Sequence, residues 1–254
     1  MAMAVPWFPE SESLALGRGE LHVWHGSLNL PEALHCDLEA RLTPEEQQRA
    51  AKFLTSQARE HFVAARGILR QLLGAYLGIR AEEVAFRYGP HGKPSLARGH
   101  DSRICFNASH SGGMGMLVFA EEREVGADLE QMRADAGGME IAARFFSQEE
   151  KAELAKLPPE LRNEAFFRCW TRKEAYVKAR GEGMGIPLES FTVRFADDRE
   201  QQMVDETGRR WSCYGIELPR GFTGAVVAAG QGWRLRQREW CPGEKARAVA
   251  RDGS

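Results

Sequence analysis

The chain repeats itself. Displacing its first half by 104 residues brings Leu21 onto Val125, Leu42 onto Phe146 and Thr43 onto Ser147, with Glu45-Glu46 on Glu149-Glu150. Phe62 then falls on Phe166, Ala65 on Cys169 and Leu72-Leu73 on Tyr176-Val177, so the apolar faces of two helices coincide. After an insertion of three residues in the glycine- and proline-rich stretch Gly181 to Pro187, Val84-x-Phe86-x-Tyr88 meets Phe191-x-Val193-x-Phe195. A last strand, Gly115 to Ala120, meets Gly224 to Ala229. Each half is expected to run strand, helix, helix, loop, strand, strand. Two such halves predict an α+β fold, a pseudo-twofold pair with one helical layer on each sheet. The expected boundaries are a flexible N-terminal segment at 1–19, a first half at 20–124, a second half at 125–233 and a basic tail at 234–254. The active site is expected at the junction of the halves, since small ligands most often bind in such clefts.

Composition narrows the class. With 254 residues, 43% of them hydrophobic, the chain can bury a full core as one large domain or two small ones. Lys plus Arg number 34 against 36 Asp plus Glu, so no global charge directs it to nucleic acid or a membrane. Cys36, Cys105, Cys169, Cys213 and Cys241 are odd in number, scattered and never spaced C-x-x-C, which argues against a disulfide framework and a zinc site and fits a reducing cytoplasm. The first residues lack the basic and apolar regions of an export signal, and no later apolar run approaches bilayer length. Arg234 to Arg251 carries Arg236, Arg238, Lys245 and Arg247 around Cys241-Pro242-Gly243, without the aromatic interleaving of a nucleic-acid site.

Chemistry concentrates in the second half. Val125 to Glu130 is expected to be a strand, which puts Asp128 and Glu130 on one face and Leu129 on the other. Phe166 to Lys178 is expected to be a helix, with Phe166, Trp170 and Val177 near one apolar stripe and Glu174 and Lys178 one turn apart. Three convergent carboxylates and a lysine suit a hard cation such as Mg²⁺ holding a phosphate ester. Under the same displacement Asp128, Glu130 and Glu174 correspond to Trp24, Gly26 and Arg70, so only the second half supplies the acidic set. Between these segments lie a turn that presents Lys93 at its tip and the run Phe106 to Gly113, in which Ser109 and His110 offer polar groups to a phosphate. Each feature has a plainer reading: Glu174 and Lys178 as a surface ion pair, Asp128-x-Glu130 as a strand edge, Lys93 as a solvated turn residue. His22-x-x-His25 is not a metal pair, because on a strand the two rings face opposite sides.

The combined pattern resembles the 4′-phosphopantetheinyl transferases, of the two-half type that activates peptide and polyketide synthetases. The matching segments are Gly92 to Pro94, Phe106 to Ser111, Val125 to Glu130, Arg144 to Glu150 and Trp170 to Lys178, the last being the most specific. This resemblance implies transfer of phosphopantetheine from coenzyme A to a serine of an apo acyl or peptidyl carrier protein, with adenosine 3′,5′-bisphosphate released. It implies Mg²⁺ on Asp128, Glu130 and Glu174, and Lys178 stabilising the diphosphate. Glu174 is then a metal ligand, a general base, or both; His110 joins Glu174 and Lys178 as a catalytic candidate. Arg66, Lys93, Ser109 and His110 become nucleotide contacts, with Arg59 as a further candidate. The sequence departs from the family after Thr43-Pro44, where Glu45, Glu46, Gln47 and Gln48 precede Arg49 and Lys52. A monomer suffices for such an enzyme. A Mg²⁺-dependent pyrophosphate or phosphodiester hydrolase, and a non-catalytic coenzyme A or carrier-protein binding module, are the alternatives.

Overall fold

The structure, a computed structural model, describes residues 14–134, 137–197, 199–240 and 247–248. In the first half, strand β1 (Glu20–Ser27) leads into helices α1 (Glu32–Ala40), α2 (Pro44–Ala50) and α3 (Ser56–Leu77). Strands β2 (Phe86–Tyr88), β3 (Pro94–Leu96), β4 (Ile104–Ser111) and β5 (Met114–Glu121) follow. The second half begins again with β6 (Val125–Gln131), α4 (Gly138–Phe145), α5 (Gln148–Lys156) and α6 (Pro159–Arg180). It continues with β7 (Gln201–Val204), β8 (Arg210–Ile216) and β9 (Phe222–Ala229). The expected pair of α+β halves is present, with three α-helices in each among the described residues rather than two.

The layers follow from strand alternation. Trp24, Leu117 and Phe119 turn toward the first half's helices, while Ala225, Val227 and Ala229 turn toward those of the second. Leu21, Val23 and Val118 meet Val125, Ala127 and Val226 in a third core, so the two sheets pack face to face between their helical layers. These faces correct the register of the last strand in the repeat. Val118 corresponds to Val226, a displacement of 108 rather than 109, because a one-residue slip would turn every side chain to the opposite face.

A second correction comes from two buried ion pairs. Thr43 and Ser147 each open a helix with a capping box, to Glu46 and Glu150 respectively. Arg70 Nε donates to Glu46 Oε2 at 2.7 Å and its Nη1 to the carbonyls of Ala81 (3.1 Å) and Val84 (2.8 Å). Lys173 Nζ lies 2.8 Å from Glu150 Oε1 and donates to the carbonyls of Leu188 (2.7 Å) and Phe191 (2.6 Å). Arg70 is therefore the counterpart of Lys173, and Gln71, not Arg70, stands where the second half has Glu174. The helix ends agree, since α3 and α6 both have 22 residues and both stop at a left-handed glycine, Gly78 and Gly181. Phe191 to Phe195 forms no strand: Val193 N–H donates to Glu150 Oε1 and Arg194 N–H to Gln201 Oε1, so side chains take the bonds a ladder would have used.

Both ends of the chain differ from expectation. Of the segment expected to be flexible, Leu14 donates its N–H to Ala75 O, and Leu14 and Leu16 pack on the first core; residues 1–13 lie outside the described residues. Arg234–Glu239, expected to open a basic tail, is strand β10, parallel to β1 from Glu20↔Arg234 to His25↔Glu239. The first half's sheet therefore has the order β11-β10-β1-β5-β4, where β11 is Arg247–Ala248, and the second half's has β6-β9-β8-β7. Residues 241–246 and 249–254 of that tail, with Cys241, Lys245 and Arg251, lie outside the described residues. Trp240 closes the arrangement: its backbone N–H donates to His25 O, its indole Nε1 donates to Ser27 O at 2.9 Å, and its ring is buried against Gly26 and Gly115. Gly26 has to be glycine, since a Cβ there would sit 2.5 Å from the indole nitrogen. Among the described residues no helix is long and apolar enough to cross a membrane.

Trp240→Ala is expected to cost about 3–5 kcal/mol, by loss of the buried ring and the cavity left behind. Urea unfolding monitored by circular dichroism checks this; a loss below 1 kcal/mol would show that the C-terminal strand holds without its anchor.

Candidate active site

Strand β6 has two edges, and among the described residues only one is paired with a strand. Antiparallel β9 takes one side; along the other, the first half offers side chains. Asn107 Oδ1 accepts from Ala127 N–H at 2.9 Å, Ser109 Oγ from Leu129 N–H at 3.3 Å and Ser111 Oγ from Gln131 N–H at 3.1 Å. The separation is 20 residues at every step, so β4 and β6 run side by side in the same direction. Every second residue of β4 thus substitutes for a backbone partner, and the two sheets are sewn edge to edge.

The same serines hold the carboxylates. Ser109 Oγ donates to Asp128 Oδ1 at 3.2 Å and Ser111 Oγ to Glu130 Oε2 at 2.7 Å. Helix α6 approaches from the face that Asp128 and Glu130 share. At Gly126 the helix backbone comes so close that a Cβ would lie 2.1 Å from Ala175 O, which requires glycine there. This close approach brings Glu174 and Lys178 over the strand. Lys178 Nζ lies 2.6 Å from Asp128 Oδ1 and donates to Ser109 Oγ at 3.2 Å. Asp128 is 4% exposed, and its Oδ2 is buried without a partner. Burial pushes its pKa up to about 6, with Lys178 opposing the shift and the charges of Glu130 and Glu174 adding to it. Burial likewise raises Glu174, Lys178 again opposing and Glu130 adding.

The expected three-carboxylate metal set is not closed: among the described residues no group of three histidine, cysteine or acidic side chains is arranged to hold a metal ion. Lys178 Nζ pairs with Asp128 Oδ1 at 2.6 Å, and Ser111 Oγ donates to Glu130 Oε2 at 2.7 Å, so two of the three carboxylates are engaged by other groups of the chain.

Glu174 and Lys178 open onto a cavity of about 680 Å³ at the junction of the halves. Phe145, Trp170, Val177, Ile186, Pro187 and Leu188 form its apolar wall, and Lys93 and Asn107 come from the first half. Trp170 stacks on Phe166 and meets Phe145 edge-on, which fixes the wall.

The remaining candidates are distributed differently from expectation. Lys93 is not presented at a solvated tip; its Nζ donates to the carbonyls of Val125, Lys178 and Ala179. His110 projects from the side of β4 opposite Ser109, and partial burial with the charges of His61 and Lys178 lowers its pKa. Arg59 is bound to Glu39 at 2.7 Å, and Arg66 faces Glu46 at 3.6 Å between the rings of Phe62 and Phe86. Neither arginine lines the cavity. Sequence reasoning gave no role to Asn107 and Ser111, although the alternation Asn107-x-Ser109-x-Ser111 in a strand is a signal for a polar edge. Phe145 and the loop Ile186 to Leu188 carried no such signal.

A fold of two like halves joined at a carboxylate–lysine cluster defines a class, and comparison identifies it. The family profile described as "4′-phosphopantetheinyl transferase superfamily" matches residues 124–229, and that described as "4′-phosphopantetheinyl transferase, N-terminal" matches residues 31–122. The 4′-phosphopantetheinyl transferase HetI of Nostoc sp. is 37% identical over 229 residues, 90% of this chain and 95% of the relative. The 4′-phosphopantetheinyl transferase Sfp of Bacillus subtilis is 27% identical over 190 residues, 74% of this chain and 82% of the relative. The 4′-phosphopantetheinyl transferase AcpT of Escherichia coli (strain K12) is 39% identical over 123 residues, 48% and 58% of the two chains. The chain belongs to the 4′-phosphopantetheinyl transferase family, and is an enzyme of the transferase class.

The raised pKa of Asp128 has a measurable consequence. Because the folded value, about 6, lies above the ordinary 3.8, the folded state binds more protons between these values, and stability falls as pH rises through that window. The ionised carboxylate costs the metal-free fold on the order of 3 kcal/mol at neutral pH. Asp128→Asn should therefore melt several degrees higher at pH 7.5, with the gain fading as pH falls from 6 toward 4. Scanning calorimetry in chelator checks this; a variant no more stable than wild type at pH 7.5 would contradict the sign.

Proposed function

We propose that this enzyme transfers the 4′-phosphopantetheine group of coenzyme A to a serine hydroxyl of an apo acyl or peptidyl carrier protein, releasing adenosine 3′,5′-bisphosphate. One observation carries the reading: Lys178 and Glu174 line an inter-half cavity while Lys178 and Ser109 bind the buried Asp128, in a chain of this family.

The donor set fits a divalent cation. Asp128 Oδ2 is a buried oxygen without a partner, and burial together with the neighbouring carboxylate charges raises the proton affinities of Asp128 and Glu174, which is the electrostatic signature of a set short of positive charge. Asp128, Glu130 and Glu174 are the residues that would hold Mg²⁺, which when bound neutralises diphosphate oxygens.

The chain's own groups account for the rest. The acceptor serine oxygen bonds to the phosphorus that carries the pantetheine arm, and the bond from that phosphorus to the bridging diphosphate oxygen breaks. Glu174, whose carboxyl burial keeps above its ordinary range, takes the serine proton. Lys178, with a part-exposed ammonium, neutralises charge on the leaving phosphate. Ser109 fixes the Asp128 carboxylate through one donated hydrogen bond, and the apolar wall around Trp170 keeps water from the reacting phosphorus. Both walls come from one chain, so a monomer is sufficient. We assign the reaction to the cytoplasm, in keeping with the free thiols of Cys36, Cys105, Cys169 and Cys213.

Intact mass spectrometry of apo carrier proteins incubated with the enzyme, coenzyme A and Mg²⁺ is expected to show addition of one phosphopantetheine. Asp128→Ala and Glu174→Ala should slow this by about a hundredfold or more, and calorimetric titration should saturate at one coenzyme A per chain. Free phosphopantetheine released without a carrier would show a hydrolase instead.

A further inference from the structure

Lys93 lies in the turn between β2 and β3, where Gly89 N–H donates to Lys93 O and Gly92 takes a left-handed φ of 77°. The turn aims its side chain away from solvent and across the junction. Its Nζ is 3.0 Å from Val125 O, 2.6 Å from Lys178 O and 3.4 Å from Ala179 O. An ammonium has three protons and no acceptor capacity, so three carbonyls exhaust it. No proton remains for a phosphate, although Lys93 borders the cavity.

The three carbonyls are not an arbitrary set. Those of Lys178 and Ala179 belong to the last turn of α6, where helix carbonyls lack partners within the helix and a cation is favoured by the dipole. That of Val125 opens β6, the strand that carries Asp128. One nitrogen from the first half therefore ties the end of the helix bearing Lys178 to the start of the strand bearing Asp128. Burial pushes the Lys93 pKa down to about 8, with nearby Glu124 opposing the shift.

We propose that Lys93 is a positioning residue, which holds the last turn of α6 on β6 and thereby sets Lys178 against Asp128, and that it does not read the nucleotide. The kinetic part of this inference rests on the transfer reaction proposed above; the structural part does not.

The test compares Lys93→Met and Lys93→Arg with wild type. In Lys93→Met, displacement of Lys178 should lower kcat for carrier modification by about a hundredfold, while KM for coenzyme A stays within about threefold of wild type. Dephospho-coenzyme A should be used with the same preference relative to coenzyme A in all three proteins. Lys93→Arg, which keeps a charged donor, should recover part of kcat. Hydrogen–deuterium exchange of the whole protein, which needs no activity, should show faster exchange in peptides covering 125–131 and 176–183. If Lys93→Met does not accumulate as folded protein, Lys93→Gln, which keeps a neutral donor, goes through the same measurements. A rise in KM selective for coenzyme A over its dephospho form, with kcat kept, would overturn the proposal in favour of a nucleotide contact; so would unchanged exchange at both segments. Failure of the wild-type enzyme to modify any carrier, with the exchange difference present, would reject the transfer reading alone.

Discussion

The free edge of β6 is the constraint on which the site depends. An edge strand buried between two sheets exposes N–H groups that must find acceptors, and each one left unpaired costs about 1–3 kcal/mol. Here Asn107, Ser109 and Ser111 meet that demand from a neighbouring strand that offers side chains where a ladder would offer backbone. A backbone ladder would have bonded the strands without engaging the carboxylates. Hydroxyls do both, because each accepts from a backbone N–H and still has a proton to give, and that proton goes to Asp128 or Glu130. Joining the halves and orienting the acidic groups are therefore one act.

The helix that completes the site is held by a different device, used twice. Glu46 and Glu150 each cap a short helix and then neutralise a cation in the middle of the long one, which also donates to two carbonyls of the segment that follows. Breaking such a buried pair by removing one partner costs about 3–5 kcal/mol, since the other charge stays behind. The two copies differ where chemistry differs. In the first half Trp24 occupies the place that Asp128 has in the second, and Gln71 the place of Glu174, so the same scaffold is filled with an indole in one copy and with ionisable groups in the other.

Much of this was legible from residue spacing, and the failures have physical causes. The repeat, with Thr43 aligned on Ser147, and the shared face of Asp128 and Glu130 rest on residue spacing and periodicity, which a sequence carries openly. The register of the long helices was misread by one residue because apolar residues crowd both faces near Leu72 and Tyr176; only the buried cations, which lie inside that apolar pattern, mark the true phase. Lys93 was misplaced because a lysine in a glycine–proline turn has no local feature that separates a solvated ammonium from one inserted into another half. β10 escaped notice because Arg234-x-Arg236-x-Arg238 has the alternation of a strand but a composition suited to a tail. Its Arg238 lies over the Trp24 ring, so part of its charge is spent on an aromatic face.

The parallel pairing of β10 with β1 also sets an order of assembly. The bond from Trp240 to Ser27 spans 213 residues, so β1 is completed by a strand made long after it. At about 5–20 residues per second, β1 waits on the order of ten to forty seconds for its neighbour during synthesis. The second half, by contrast, draws its four-stranded sheet from residues 125–229 alone. The nascent chain thus leaves the β1 edge of the first sheet without its parallel neighbour until residues 234–239 have been made, while the groups around the carboxylate cluster all come from earlier in the sequence.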